Sequence, residues 1–445
     1  MAERARRAPV FPIALVAATG AIAYAVTFYP GGMGFDTAYQ WWQARGGETS
    51  NVHALGMTWL WRIADLFHAG PAPLFVLQLA LFWTGTGLVA ARLRASPFWR
   101  IAFLLVAALA PVSFLLFTFV ASDVMFMAAL ACAFGLLLTG GCTGGRVRVV
   151  LALALLVLAM LLRKNALPAV FPLLVYACAQ IGRVGRPAGA ARAFVTATAA
   201  GAILFAAVVL LDRTVDRRVS IFPATALWDL AAVSVAVNQI LLPPASHGPE
   251  LTLDDLRGAV GTYANTTLFE RTHAGIRQPF LQPDDPLRAD IARAWMRMVL
   301  DHPGAYLAHR WRFTCALLGS KQPDWPRELV YIDGEYQYDG NPPVAGNTNA
   351  AHARMLAVFE RLRSTVLVAA WPYLAAALIA LVTAWRRRSD AHARAALAVL
   401  ASGVLYAAPL PLIAPSCELR YLGWSCLATI FGSALVLSSS RRQAD

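Results

Sequence analysis

Charged residues are scarce in this chain of 445 residues: Asp, Glu, Lys and Arg make up 14% of it, against 58% hydrophobic residues. Soluble domains carry about 25% charged residues, so the composition does not suit a water-soluble protein, and the mean hydropathy is +0.55. The same scarcity excludes disordered, collagen-like and coiled-coil classes. The short alternating strands of a transmembrane β-barrel are also absent from the sequence.

Cysteine is sparse, and none of the six cysteines forms a Cys-x-x-Cys pair. Their scatter argues against a zinc motif, a redox motif and a disulfide framework. Lysine occurs only twice among 38 basic residues, and alanine is abundant, a composition that we interpret as bacterial. The net charge of +13 does not indicate nucleic acid as a partner, because the arginines lie largely in short loops between apolar runs.

Long apolar runs dominate the sequence instead, and several reach about 18 residues, the length of a helix that crosses a bilayer. We predict an all-α polytopic membrane protein in contact with the lipid bilayer. Its ten expected spans are 9–28, 71–91, 98–119, 123–140, 147–162, 165–181, 192–211, 364–384, 395–414 and 420–438.

Basic residues predict the orientation of these spans. The first run follows Arg4, Arg6 and Arg7 and has no small-residue cleavage site, so we interpret it as an uncleaved span. Seventeen basic residues lie on the side of the N-terminus, five in the short segments opposite, and sixteen in the long segment 212–363, which the charge rule does not count. The bias predicts a multi-pass protein of a bacterial inner (plasma) membrane, with both termini in the cytoplasm.

This topology divides the chain into three parts. They are an N-terminal transmembrane region of seven spans with an amphipathic outer loop, an outer-face (periplasmic) region, and a C-terminal transmembrane region of three spans: 1–211 with the loop 29–70, 212–363, and 364–445. The apolar run 224–242 could form an eleventh span, but Asp229 inside it would be costly in lipid. We therefore interpret it as a buried or interfacial helix of the outer region.

Aromatic residues are concentrated in the outer loop 29–70. Tyr39, Trp41, Trp42, Trp59 and Trp61 form a set that is typical of a membrane interface.

Polar residues near the span ends are concentrated on the predicted outer face. Ionisable groups at membrane depth are costly, and such groups are by default candidates for a functional site. The candidates are Asp36, His53, Asp123, Arg163, Lys164, Asn165, Glu418, Arg420 and Tyr421, with Gln40 one helical turn after Asp36 and Lys321 in a Pro-rich loop.

Each candidate also has a structural interpretation. Asp36 and Asp123 each start a helix, where an Asp often serves as N-cap. Arg163 and Lys164 interrupt a long apolar run, which a turn with snorkelling side chains also explains. Glu418 and Arg420 could form a pair of their own, and His53 could pack or cap a helix.

In the functional interpretation, these groups transfer a sugar from a lipid phosphate. A carboxylate takes the proton of an acceptor hydroxyl, and fixed cations stabilise the leaving phosphate. Asp36 would be the base, with Arg163, Lys164 and Arg420 on the donor phosphate. Asp123, Glu418 and His53 are candidates for the acceptor or for a divalent metal ion; Gln40, Asn165, Tyr421 and Lys321 would support them.

The motif order also carries a resemblance. Span one, PGGMGFD, an amphipathic helix, His53, a surface helix and span two follow one another, and Arg163-Lys164-Asn165, Glu418-Leu-Arg420-Tyr421 and His302-Pro-Gly-Ala-Tyr-Leu-Ala-His309-Arg310 come later. This order resembles the GT-C superfamily of polyprenyl-phosphate-sugar-dependent glycosyltransferases. It departs from the expected pattern after His53, where proline is replaced by alanine, and before Asp123, where lysine is missing.

The resemblance implies a GT-C-like fold, inverting transfer with Asp36 as the catalytic Asp, a polyprenyl-phosphate-linked sugar donor, and a lipid or glycan acceptor. Two other functions stay open: a transporter or flippase of lipid-linked glycans, and a glycan ligase or polymerase. Transporters usually hold their charges near the middle of the bilayer, whereas here the charges are expected at the outer ends.

Overall fold

In the computed structural model the chain is mostly helical, at 70%. The structure describes residues 10–140, 145–185, 189–271, 275–320 and 325–439. Within these ranges the helices are α1 (Val10–Phe28), α2 (Phe35–Ala44), α3 (Leu55–Ala64), α4 (Ala72–Arg92), α5 (Pro97–Leu109), α6 (Pro111–Leu116), α7 (Ser122–Thr139), α8 (Gly145–Leu162), α9 (Leu167–Gly185), α10 (Ala190–Leu211), α11 (Phe222–Val237), α12 (Leu253–Ala259), α13 (Thr266–Arg271), α14 (Leu287–Asp301), α15 (Pro303–Leu317), α16 (Ala350–Arg363), α17 (Ala370–Arg386), α18 (Ala391–Ala407), α19 (Leu410–Ile413) and α20 (Gly423–Leu437).

Seven helical segments of the described chain are long and apolar enough to cross a membrane. This confirms the prediction of a helical polytopic protein. Three expected spans correspond to shorter apolar segments, Pro97–Leu109, Leu167–Ile181 and Ala370–Arg386, so the total of ten stays a prediction. The seven segments are Phe11–Phe28, Ala72–Arg92, Ser122–Thr139, Gly145–Leu162, Ala190–Leu211, Ala391–Ile413 and Leu419–Leu437.

The expected span 98–119 is divided in the structure. Helix α5 ends at Leu109 and α6 begins at Pro111, because proline lacks the N–H that a continuous helix needs. After α6 the chain forms β2 (Phe119–Val120), which pairs in parallel with β1 (Gly32–Met33). The pairing joins the chain after α1 to the chain before α7, and so holds these two loops at the same end of the bundle.

Helix α7 lies at the centre of the membrane region, with almost all of its side chains buried. Helix α4 packs closely against it at Gly85, where an added Cβ would lie 2.4 Å from the carbonyl carbon of Ala131. Small residues allow such a close approach between membrane helices. This tight contact fixes the position of α7, which carries Asp123 in its first turn.

The opposite end of the bundle carries arginine-rich loops. Arg94 donates a 2.6 Å hydrogen bond to Asp390, and the side chain of His392 contacts the carbonyl of Arg92 at 2.8 Å. The loop after α4 therefore lies beside the loop after α17, as the charge pattern predicted for two segments on one side.

Helix α11 lies in the segment that could have formed an eleventh span. It has 16 residues and ends at Asn238, which adopts a left-handed conformation (φ 58°). It packs against α12, α14 and α15 of the same region. Asp229 is fully buried and accepts hydrogen bonds from Arg310 (2.7 Å) and Trp295 (2.8 Å). A buried carboxylate with such partners fits a helix in a protein core.

The region 212–363 is bonded to the rest of the chain at several places, and two of them adjoin the predicted site. Tyr263 accepts a 2.7 Å hydrogen bond from the amide of Cys417, and Asn265 donates one of 2.9 Å to Pro415. At the second place, the amide of Met33 bonds to Gly334 and that of Tyr336 bonds to Met33. Both contacts lie next to residues of the predicted site.

The aromatic set of the outer loop is only partly where the sequence suggested. Trp41 and Trp61 were expected at the membrane interface, but they are buried and stack on each other with ring centroids 5.5 Å apart. Helices α2 and α3 pack together, and each covers the apolar face of the other.

Candidate active site

Seven side chains from five separate parts of the chain meet at one end of the bundle, and we call them the charged cluster. They come from the first turn of α2, the turn before α3, the first turn of α7, the turn after α8 and the turn before α20. The members are Asp36, His53, Asp123, Arg163, Glu418, Arg420 and Tyr421.

Arg420 is at the centre of the charged cluster. Its Nη2 donates a 2.6 Å hydrogen bond to Asp36 Oδ2. Its Nε forms an ion pair with Glu418 and lies 3.7 Å from Asp123 Oδ2. The guanidinium side chain is 12% exposed, so three carboxylates surround one largely buried cation. The alternative in which Glu418 and Arg420 form a pair of their own does not fit this arrangement.

A second guanidinium lies beside the first. Arg163 Nη1 donates a 3.1 Å hydrogen bond to Asp123 Oδ2, and its guanidinium carbon lies 5.4 Å from the ring centroid of Tyr421. The corresponding distance for Arg420 is 5.6 Å. Two guanidinium groups thus share one tyrosine ring and one buried carboxylate, and attraction of each cation to the ring favours this arrangement.

The remaining groups fix the acidic side of the cluster. Glu418 accepts hydrogen bonds from the hydroxyls of Tyr421 (3.0 Å) and Ser416 (2.7 Å). Ser416 was missed by sequence reasoning, although it lies two residues before Glu418. Its position on the segment that pairs with Tyr263 and Asn265 could not be read from the sequence pattern.

The two acidic residues at helix starts do not act as caps. The N-cap positions of α2 and α7 are Gly34 and Ala121, and neither helix has a side-chain cap. Asp36 and Asp123 lie in the first turns, where a carboxylate is favoured by the helix dipole. Their side chains bond to arginines instead, so the capping interpretation is wrong at both positions.

Asp36 is the most accessible carboxylate of the charged cluster, with its side chain 37% exposed. Partial removal from water raises its pKa, but the charge and hydrogen bond of Arg420 outweigh this and lower the pKa to about 2. His53 Nε2 lies 3.8 Å from Asp36 Oδ1. Burial lowers the pKa of His53 below 6.5, with only partial opposition from the charge of Asp36. At neutral pH an ionised carboxylate therefore faces a neutral imidazole.

Several buried polar atoms in and beside the charged cluster lack a hydrogen-bond partner among the residues that the structure describes. Asp123 Oδ1, Arg163 Nε and Gln40 Nε2 are in this group. A buried polar group without a partner costs about 1–3 kcal/mol. Such uncompensated donors and acceptors are the groups that a polar ligand would satisfy.

Three predicted residues that the structure describes, Gln40, Lys164 and Asn165, are not members of the cluster. Gln40 is buried in α2. Lys164 Nζ lies 2.8 Å from Asp212 Oδ2 and also donates to the carbonyl of Asn51. Asn165 is half-buried in the same turn, after α8, with its side chain near the hydroxyl of Tyr406. Lys321 lies outside the described residues.

An aromatic surface borders Asp36. Phe35, Tyr39 and Trp42 of α2 pack with two tyrosines of the following outer region, Tyr336 and Tyr338, at centroid distances of 5.3–6.3 Å. Tyr336 and Phe35 are about half exposed. Sequence reasoning assigned no site residue to these tyrosines, because their position depends on the long-range bonds to Met33.

A divalent metal ion at the charged cluster stays a prediction. Within the described ranges no group of three or more His, Cys, Asp or Glu side chains is arranged to hold a metal. The carboxylates of Asp36, Asp123 and Glu418 instead converge on Arg420, and a guanidinium at their centre would repel a cation.

Comparison with known proteins adds nothing to the geometry: no family model, no curated protein and no solved structure matches the chain.

Proposed function

We propose that the protein is a membrane glycosyltransferase of the GT-C type. It moves a sugar from a polyprenyl-phosphate donor to an acceptor hydroxyl at the outer face of a bacterial inner membrane, with inversion at the anomeric carbon. The observation that carries the proposal is the contact between Asp36 and Arg420, a partly exposed carboxylate bonded to a buried guanidinium.

Arg163 and Arg420 are the proposed ligands of the donor phosphate. Their guanidinium groups both lie on the ring of Tyr421, and arginine presents a planar fork of donors that matches phosphate oxygens. The lipid chain of the donor would lie between membrane helices while its headgroup reaches this end of the bundle. Charge that develops on the leaving phosphate is stabilised by cations already in position.

Asp36 is the proposed base. The acceptor oxygen attacks the anomeric carbon, the bond from that carbon to the phosphate oxygen breaks, and the electron pair leaves with the polyprenyl phosphate. The proton of the acceptor hydroxyl passes to Asp36. In the resting protein Arg420 makes this carboxylate a weak base. A phosphate that binds Arg420 neutralises its charge, so the pKa of Asp36 rises when the donor is present.

The aromatic surface supports the same reaction. Phe35, Tyr39, Tyr336 and Tyr338 offer rings and hydroxyls next to the base. Binding sites combine such apolar faces with a few polar groups that orient the ligand. We assign this surface to the sugar or to the acceptor.

The test uses full-length protein in detergent with a panel of polyprenyl-phosphate sugars, and it measures the release of polyprenyl phosphate. We expect Asp36→Asn to slow release at least about 100-fold, because general base catalysis contributes roughly 10²–10⁴-fold. Asp65→Asn is the matched control: this carboxylate lies after α3 and bonds to Arg45 and Trp41, away from the charged cluster.

The outcomes separate the alternatives. A folded Asp36→Asn protein with wild-type turnover removes Asp36 from the mechanism. Turnover only with a lipid pyrophosphate oligosaccharide would indicate the ligase or polymerase instead. Absence of turnover with every donor, together with movement of a lipid-linked glycan across vesicles, would indicate the transporter or flippase.

A further inference from the structure

A second polar cavity lies in the region 212–363, apart from the charged cluster. Its volume is about 190 Å³, and it lies between α11, the segment after α12, and α15. This is room for a small ionic group together with several waters. The side chains that give it charge are Arg257, His309 and Arg312, and the backbone of Gly261 and Thr262 forms another wall.

Among the residues that the structure describes, basic side chains line this cavity and acidic ones do not. Arg257 is already engaged, since it donates to Asp254 and Asn238 at 2.6 Å each. Arg312 is exposed and has no ion pair with any residue that the structure describes. The local charge is therefore positive by at least one uncompensated guanidinium, which favours an anion.

His309 is the buried wall of the cavity. Its side chain is 6% exposed, and its Nε2 lies 3.2 Å from Asp229 Oδ1. Asp229 is fully buried and is already neutralised by Arg310 at 2.7 Å. Trp228 packs its ring edge-on against the imidazole at 4.8 Å. The imidazole thus packs between Asp229 and Trp228 and borders the cavity.

A structural role explains only part of this arrangement. The bonds of Asp229 to Arg310 and Trp295 hold α11, α14 and α15 together. They do not explain why a polar cavity opens on the other side of His309, nor why Arg312, one helical turn further along α15, borders it without a partner among the described residues.

We propose that this cavity binds a small oxyanion, a phosphate or carboxylate group, with Arg312 and His309 as its side-chain ligands. Arg312 supplies the charge and a fork of donors that matches two oxygens. The imidazole of His309 lines the cavity and supplies a ring N–H, because its Nε2 has no hydrogen-bond partner among the described residues. The proposal does not depend on glycosyl transfer, because none of the lining residues belongs to the charged cluster.

The test measures binding of inorganic phosphate to the full-length protein in detergent by calorimetry and by thermal shift. We expect saturable binding to the wild type and at least tenfold weaker binding to Arg312→Gln, since hydrogen bonds to charged groups contribute about 1.5–3 kcal/mol. The matched control is Arg297→Gln, because Arg297 is an exposed arginine of the neighbouring helix α14.

Two more variants keep the result interpretable. Arg420→Gln removes a guanidinium of the charged cluster, and we expect it to keep the phosphate binding that Arg312→Gln loses. His309→Gln weakens binding in a protein whose elution volume in gel filtration is unchanged. Displacement of phosphate by acetate indicates a carboxylate ligand, and failure of acetate to displace it indicates a phosphate ligand.

The proposal is overturned by three results. The first is wild-type protein without saturable phosphate binding. The second is an Arg312→Gln protein that binds phosphate as tightly as Arg297→Gln. The third is loss of phosphate binding in Arg420→Gln while Arg312→Gln keeps it. The last result would move the anion to the charged cluster and leave the proposed glycosyltransferase intact. A failure of donor turnover, in contrast, would not change the phosphate measurement.

Discussion

Asp36 and Arg420 are 384 positions apart in the sequence and are joined by a 2.6 Å hydrogen bond between Asp36 Oδ2 and Arg420 Nη2. The contact connects the loop 29–70 to the turn before α20. A substrate that binds the guanidinium of Arg420 competes with the carboxylate of Asp36 for the same donor. Substrate binding at Arg420 therefore changes the strength of Asp36 as a base.

The first prediction is a pH dependence of stability. The pKa of Asp36 is lowered from 3.8 to about 2, so the ionised form stabilises the fold. This contribution is present above about pH 4 and is lost as the pH falls towards 2. We expect the difference in Tm between the wild type and Asp36→Asn to be constant from pH 7 to pH 5 and to shrink between pH 4 and pH 2. A difference that does not change down to pH 2 would contradict the assigned pKa.

The second prediction concerns the buried carboxylate of the charged cluster. Asp123 is 2% exposed and lies between Arg163 and Arg420. We expect Asp123→Asn to lower the free energy of unfolding by about 3–5 kcal/mol, because it leaves buried guanidinium groups uncompensated. The matched control is Asp254→Asn, which breaks an exposed pair with Arg257 and should cost about 0–1 kcal/mol. Thermal unfolding in detergent measures the loss of stability in both variants. Equal losses would contradict the prediction that the buried carboxylate contributes more than the exposed one.

The third prediction separates two neighbouring cations. Arg163 lies on the ring of Tyr421, whereas Lys164 bonds to Asp212 and Asn51. If the donor phosphate binds as proposed, Arg163→Lys raises the KM for the donor about tenfold or more, since lysine lacks the planar fork. Lys164→Met leaves this KM unchanged and lowers stability by about 1 kcal/mol. Steady-state kinetics measures the KM, and an equal rise in both variants would argue against the assignment.

The fourth prediction tests how the membrane helices pack. An added Cβ on Gly85 would lie 2.4 Å from the backbone of Ala131, so Gly85→Ala pushes α4 away from α7. We expect a loss of about 1–3 kcal/mol together with lower activity, because α7 carries Asp123. Gly258→Ala is the control: nothing lies within 4 Å of its Cβ position, and alanine favours a helix by about 1 kcal/mol. A stable Gly85→Ala protein would show that the two helices adjust.

The sequence was informative about the cluster because membrane topology restricts the ends of spans. Asp36, Asp123, Arg163 and Arg420 were assigned to one face from the alternation of spans and basic loops, and all four lie together in the structure. Their roles remain predictions. These four residues could be identified because few charged residues occur near the ends of the apolar spans.

The sequence could not predict in which direction each side chain points. Lys164 adjoins Arg163, yet the two point to different partners, because the loop around Asn51 and the end of α10 approach only one of them. Pro111 could have predicted the break between α5 and α6. Averaged hydropathy over the run 98–119 conceals this break, because hydropathy does not register a missing N–H. The tyrosines of the aromatic surface depend on Met33, a contact across more than 300 residues.

The bonds from Tyr263 and Asn265 to the segment 415–417 have a practical consequence for anyone who wishes to study the region 212–363 in isolation. A soluble fragment cut at these limits would lose the strand-like partner that lies just before Arg420, and it would expose backbone groups that are satisfied in the intact chain. We expect such a fragment to aggregate, so ligand measurements on this region call for the whole polypeptide.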